Sequence, residues 1–418
     1  MRTNPRTAGM PESPADPLVL GLIVVAAASC SGDDSSDDVT PGAPDERWSG
    51  PAPTDDEMSD DDVAELDRRA AEGIANSDGD LPGMWVGVWS SERGNHVGAY
   101  GEAIVEQAEA TPEDHARIGG LTMTFTATAV LREVDDGELA LDDTVADHLP
   151  DLAEEHDELA AITVEQLLGM TSGLPDYASA GWFLAEVVDD PARVWSAGEI
   201  IDEVVARGGL EEPGTPRYST TNYLVLGAIL SAVAGAPVDR VLTTLATDAG
   251  LDQTALPPRT DDALVAPAAH GYVNAAGNRD LTEVIGDAGT APPVGTDVTR
   301  WDLSWAGAGG QMYSTVADLG AWAAGGLGSN ELTNALVDER LDTTDVPGGG
   351  AYGLGVIDFG NGWIGHTGQV IGWSALAAYN VRTGEVFVGL VNETSALPAL
   401  AGVVAYEFPD LAEGLFPG

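Results

Sequence analysis

Lysine is absent from this 418-residue chain: all 17 basic residues are arginine, against 69 acidic ones. No amine side chain is therefore available anywhere as a general base. The resulting charge of −52 and pI near 4.1 describe a surface that repels phosphate backbones and anionic headgroups, which excludes nucleic acid as a partner. A high-salt habitat and a GC-rich genome both produce such a bias, and the sequence does not separate them. Cysteine is nearly absent too: Cys30 stands alone, so no internal disulfide framework holds the fold. A hydrophobic content of 44% is ordinary, and the length is enough for one large domain or two modest ones with a sizeable core.

Long apolar runs are also scarce. An uncharged stretch over residues 18–28 follows Arg2 and Arg6; it has the length of a signal-peptide core and is short for a bilayer span. Ala27-Ala28-Ser29-Cys30 resembles a bacterial lipobox, although a leucine is usual where Ala27 stands and Glu12 and Asp16 are odd in the leading region. The expectation is a signal or lipoprotein peptide over 1–30, with Cys30 lipid-modified and the protein held outside the cytoplasmic membrane by that anchor alone. Plain secretion and a mis-assigned start are the alternatives. Residues 31–62 are rich in Asp, Ser, Pro and Gly with almost no large apolar group. Such a segment cannot bury enough surface to offset its ordering entropy, so it reads as an acidic tether.

The expected domain is 63–418. It opens with an acidic helix near 61–76 and a hairpin of strands over 84–90 and 95–100 turning at Ser91-Glu92-Arg93-Gly94. Residues 121–131, LTMTFTATAVL, carry no charge and predict a helix buried on all faces, stopped near Gly137. Helical segments and Gly/Pro loops fill 140–345. Strands return over 351–358, 362–366, 372–380 and 385–391, and a helix-like 397–406 follows. Strands at both ends with helices between predict an α/β domain of the α+β type: one antiparallel sheet built from both chain ends, packed with helices, with an inserted helical region.

Four stretches then appear in order. The first runs from His115 through Gly119-Gly120-Leu121-Thr122-Met123 to Leu149-Pro150. The second is Ile162-Thr163-Val164-Glu165-Gln166-Leu167-Leu168-Gly169-Met170-Thr171-Ser172-Gly173-Leu174-Pro175-Asp176-Tyr177. The third is Pro213-Gly214-Thr215 to Tyr218-Ser219-Thr220-Thr221-Asn222-Tyr223, and the fourth is Gly365-His366-Thr367-Gly368. Together these resemble the serine β-lactamase-related family that includes class C β-lactamases and DD-carboxypeptidases. The resemblance spans about 80–405 and implies a β-lactamase/transpeptidase-like fold, serine-hydrolase chemistry and no cofactor. In that family a serine opens the buried helix, a lysine one turn later takes its proton, a Tyr-x-Asn loop helps relay it, and a Lys/His-Thr-Gly strand binds the substrate carboxylate.

The carry-over breaks at its centre. Where the family has Ser-x-x-Lys, this chain has Gly120-Leu121-Thr122-Met123. Glycine cannot attack a carbonyl and methionine cannot carry a proton. Tyr218 matches its motif, Thr220 replaces the family asparagine, and His366-Thr367-Gly368 matches fully, which places the oxyanion-hole amide near Gln369. The residues expected to bind a ligand are Tyr218, His366, Thr367, Gly368 and Gln369. Tyr218 is equally readable as a core aromatic, and His366 as a structural histidine. Thr122 and Thr124 are expected to bond their own backbone, and Ser172 to hold a turn. The six histidines form no metal-ligand pattern, and Asn76-Ser77-Asp78-Gly79-Asp80 reads as a solvated turn rather than a calcium loop. The expectation is a catalytically inactive homologue binding a peptide or acyl-amide ligand, or a protein partner. The alternative is a weak esterase or D-Ala-D-Ala carboxypeptidase-like enzyme with a non-standard nucleophile.

Overall fold

The computed structural model describes residues 56–77, 81–260 and 263–416. The lipobox-like run with Cys30, residues 31–55 of the expected acidic tether and residues 78–80 of the expected turn lie outside them; the last residues of that tether, 60–62, instead open a helix capped by Ser59.

Both chain ends build one antiparallel sheet, as expected. Strands β1 (Gly83–Ser90), β2 (Gly94–Ile104) and β3 (Ala108–Glu109) come from the N-terminal side. The C-terminal side supplies β6 (Thr344–Val346), β7 (Gly350–Tyr352), β8 (Ile357–Gly360), β9 (Trp363–Val370), β10 (Trp373–Asn380) and β11 (Val386–Val391). The spatial order is β3-β2-β1-β11-β10-β9-β8-β7-β6. β1 and β11 join the two halves, from Met84 opposite Val391 to Trp89 opposite Val386. A separate pair, β4 (Ala116–Arg117) and β5 (Tyr313–Ser314), ties the entry to the central helix to the middle of the chain. Asn392 locks the end of the sheet: its Oδ1 accepts from Gly83 N at 2.7 Å and its Nδ2 donates to Glu102 O at 3.2 Å.

Helices cover both faces, so the central strands alternate little in polarity; β10 and β11 are buried along their whole length. On one face lie α1 (Asp60–Ala75) and the C-terminal helices Ala401–Glu407 and Pro409–Leu415. On the other lie the central helix α2 (Thr122–Asp135), the short helix Gly307–Gly310 and the helix Val316–Ala324. The inserted helical region between 145 and 340 includes α3 (Thr221–Ala234), which packs on α2.

α2 is buried from Thr122 to Leu131, although four of those ten positions are threonine. Each hydroxyl has a partner. Thr122 Oγ1 accepts from Met312 N, Thr124 Oγ1 donates to Leu121 O and accepts from Trp322 Nε1, Thr126 Oγ1 donates to Ala308 O, and Thr128 Oγ1 donates to Thr124 O. An unpaired buried hydroxyl costs roughly 1–3 kcal/mol, so this pairing is what permits a polar-looking helix at the core. Phe125 stacks on Trp322 at 4.1 Å. The helix stops where Gly137 takes a left-handed φ of 76°.

One expected strand is interrupted. Residues 351–358 divide into β7 and β8 because the backbone turns at Gly353-Leu354-Gly355. A Cβ on Gly353 would meet Arg340 O at 2.1 Å, and Gly355, at φ +81°, presses on Ala127 with no room for one. Such close backbone approach is what glycine permits and a continuous strand does not.

Candidate functional site

The chain enters α2 through a single 3-10 turn, Gly119–Leu121, which lies directly against β9. Glycine makes the approach possible. A Cβ on Gly368 would sit 1.8 Å from Ile118 O, and one on Gly119, at φ +50°, would sit 2.5 Å from Gln369 N. At Gly120 a Cβ would lie 2.9 Å from Thr367 O and 3.2 Å from His366 Cε1. A serine here needs β9 to withdraw by a few tenths of an ångström. The gap has closed on a residue without a side chain.

One turn on, Met123 is 1% exposed and its thioether is approached by two phenols, Tyr218 Oη at 3.5 Å and Tyr352 Oη at 3.8 Å. Neither oxygen finds a base there. Burial, with the Asp176 carboxylate nearby, pushes the Tyr218 hydroxyl above the usual tyrosine range, so at neutral pH it keeps its proton. Tyr352 Oη lies 3.0 Å from His366 Nε2, and His366 Nδ1 faces its neighbour's carbonyl, Thr367 O. Burial pulls the His366 pKa down to about 4, with the Arg340 charge adding to that direction. His366 is thus a neutral, 1%-exposed group behind Met123. It does not itself line the cleft; Tyr352 takes its Nε2, and its Cε1 lies 3.2 Å from where a Cβ on Gly120 would stand. Gly368 likewise supplies close packing rather than cleft wall.

Arg340 is the nearest cation behind this cluster. It is wholly buried, its Nη1 donates to Thr128 Oγ1 at 3.1 Å, and its Nε and Nη2 have no hydrogen-bond partner. Burial lowers its pKa to about 10, so it remains charged at neutral pH.

The third motif caps α3. Thr220 N donates to Asp176 Oδ1 at 2.9 Å, and Ser179 N to Asp176 Oδ2 at 3.1 Å. Asn222 and Ser172 bond each other through their side chains, and Leu174 N donates to Ser172 Oγ at 3.1 Å. Ser172 is 1% exposed and holds the Gly173 turn. Among the described residues one acid–histidine group, Glu155, His156 and Asp202, brings its ligand atoms within 4.8 Å. His156 Nε2 is already engaged by Asp202 at 2.7 Å, and none of the three lines the cleft.

That cleft holds about 100 Å³ over Gly120 and Met123. Tyr218, Thr220, Thr367 and Gln369 line it, joined by Leu184, Leu281, Val284, Trp305 and Ile371. Of the residues singled out in the sequence, Gly120, Met123, Tyr218, Thr220, Thr367 and Gln369 therefore converge, and His366 and Gly368 stand behind them. Gln369 Nε2 donates to Ser395 Oγ at 2.7 Å. Tyr352, Arg340 and Asp280 were missed; Tyr352 stood in a visible Tyr-Gly-Leu-Gly run next to the β7 turn, while nothing local marked the other two.

The model of the family described as Beta-lactamase matches residues 62–403, most of the chain. This protein belongs to the beta-lactamase family. Among curated relatives of this beta-lactamase-family chain, penicillin-binding protein 4 of Amycolatopsis lactamdurans is 31% identical over 206 residues, which is 48% of each protein. The chain spans less than half the length of the curated relatives it matches. A D-stereospecific amidohydrolase from Streptomyces sp. has the same fold with a TM-score of 0.69 at 25% identity, covering 82% of this chain and 98% of its own. The D-amino acid amidase of Ochrobactrum anthropi SV3, solved with L-phenylalanine amide, aligns with a TM-score of 0.67 at 23% identity over 85% of this chain and 98% of its own, a likeness of fold.

Proposed function

We propose that this chain is a non-catalytic member of the beta-lactamase family that holds a small acyl-amide or peptide ligand in the cleft over Gly120, outside the cytoplasmic membrane. One observation carries the reading. The two positions that do the family's chemistry are Gly120, which has no nucleophile, and Met123, whose sulfur is packed by Tyr218 and Tyr352 where a base would stand. Losing a nucleophile and its base as a unit typically costs on the order of a millionfold in turnover number. For the weak-hydrolase alternative, no imidazole or amine is among the cleft's lining residues, and the Asp280 carboxylate is the one acidic or basic side chain there. Location outside the membrane rests on the signal-like residues 18–30 and Cys30.

Gly120 and Gln369 both line the cleft, and the family resemblance assigns the carbonyl-binding amides to this neighbourhood. A small amide suits it, as one suits the Ochrobactrum amidase. The test is calorimetric titration with N-acetyl-phenylalanine amide, and chromatography of the same mixture after a day. Saturable binding with no hydrolysis is the expected result. Hydrolysis abolished by heat-killing the protein overturns the reading, and so does absence of binding.

A further inference from the structure

We propose that the cleft selects a ligand bearing a primary ammonium beside an apolar side chain, with Asp280 as the residue that recognises the charge, and that it refuses carboxylate-bearing peptides. The inference rests on the binding reading above and adds the ligand's charge class.

One wall of the cleft is the helix Ala275–Ile285. Its Asp280, Leu281 and Val284 line the cleft together, as neighbours and a one-turn pair on one helix face do. With Leu184, Trp305, Val370 and Ile371 they make a wall suited to an aromatic or branched side chain. Asp280 is the one acidic or basic side chain among the residues lining the cleft. It is partly exposed, and neither a hydrogen bond nor an ion pair engages its carboxylate among the described residues. Arg279 precedes it but is exposed and does not line the cleft.

No cation offsets it from the other walls. By the resemblance Met123 stands where the family's ammonium would be, His366 is 1% exposed with Tyr352 on its Nε2, and Arg340 is wholly buried with its Nη1 turned to Thr128. The second acid nearby, Asp176, is held by the amides of Thr220 and Ser179 and adds negative charge. A carboxylate entering this cleft meets no positive partner and one free negative group. An ammonium meets the reverse, in a pocket whose apolar walls strengthen the attraction relative to bulk water.

The test uses the whole protein and three probes of one shape: phenylalanine amide (each enantiomer), N-acetyl-phenylalanine amide and N-acetyl-phenylalanine. Titrations are run at about pH 6, below the usual α-amino value of ~7.7, so that the first probe is charged. The expected order is ammonium over neutral by about tenfold, equivalent to ~1.4 kcal/mol, with the carboxylate weakest. Asp280→Asn, a change of charge at constant shape, is expected to erase the ammonium preference, bringing the ammonium and neutral probes within about twofold of each other. Equal binding of ammonium and neutral probes, or a preference that survives Asp280→Asn and so comes from the overall negative charge, overturns the inference and leaves the binding reading intact. Tightest binding of the carboxylate overturns it also. If no probe binds, the binding reading fails and takes this inference with it.

Discussion

Restoring the family's lysine alone, by Met123→Lys, should be strongly destabilising, and the structure indicates by how much. The side chain at 123 is 1% exposed and packed between two phenols. Arg340 lies behind the same cluster. An ammonium so buried typically has its pKa lowered by about 3–5 units, and each unit is ~1.36 kcal/mol. The phenol oxygens 3.5 and 3.8 Å from the sulfur can accept a hydrogen bond, which favours the lower end. Three units amount to about 4 kcal/mol, a large share of a typical total stability of ~5–15 kcal/mol. The sign follows from linkage. With the folded pKa below the unfolded one, the unfolded chain binds more protons between the two values, so stability rises with pH there. The deficit is full below the folded pKa, near ~7, and disappears above the unfolded value of ~10.4. Urea unfolding of wild type and variant between about pH 7 and 10 measures it. A variant within about 1 kcal/mol of wild type at pH 7, with a pH-independent difference, would refute the claim that this position is dry and apolar.

Three further outcomes are expected. The His366 pKa of about 4, against 6.5 unfolded, means its neutral form contributes stability fully present above the unfolded value and lost as pH falls through 4; the shift is worth up to about 3 kcal/mol. Wild type should therefore lose stability faster than His366→Gln between pH 7 and 4 in urea melts, and parallel curves would count against it. Gly368→Ala places a Cβ 1.8 Å from Ile118 O, a clash with backbone that must displace β9 or the 3-10 turn, so a loss of at least about 3 kcal/mol is expected by thermal melting. Thr124→Val strands the Trp322 indole N–H that Thr124 Oγ1 now accepts at 2.9 Å; a cost of about 1–3 kcal/mol is expected, and a neutral result would mean the indole finds another acceptor.

Much of the fold was legible because its signals are local. Eleven uncharged residues, with a glycine six positions on, predicted α2, and apolar runs predicted β1, β10 and β11 close to their observed bounds, while the strand expected over 362–366 runs on to Val370 as β9. The sheet's assembly from both chain ends followed from where those runs fall. The interruption between β7 and β8 was not legible, since it depends on Arg340 O and Ala127, residues distant in sequence that press on Gly353 and Gly355. At the site, the resemblance puts the family's serine and lysine positions at Gly120 and Met123, and those two residues do line one cleft. The burial of His366 could not be read: a His-Thr-Gly strand looks the same whether its ring faces a ligand or is buried against Tyr352. Asp280 was equally silent, because a lone aspartate on an amphipathic helix becomes a cleft residue only through the packing of Ala275–Ile285 against the helix Gly181–Asp189.

The central claim is that this chain keeps the family's cleft without its covalent chemistry. Intact-mass analysis after incubation with a fluorescent penicillin tests it most directly, with Gly120→Ser/Met123→Lys run beside the wild type. The account predicts no adduct on the wild-type chain and labelling of the double variant once β9 yields to the new side chain. A stoichiometric penicilloyl adduct on the wild-type chain would contradict it.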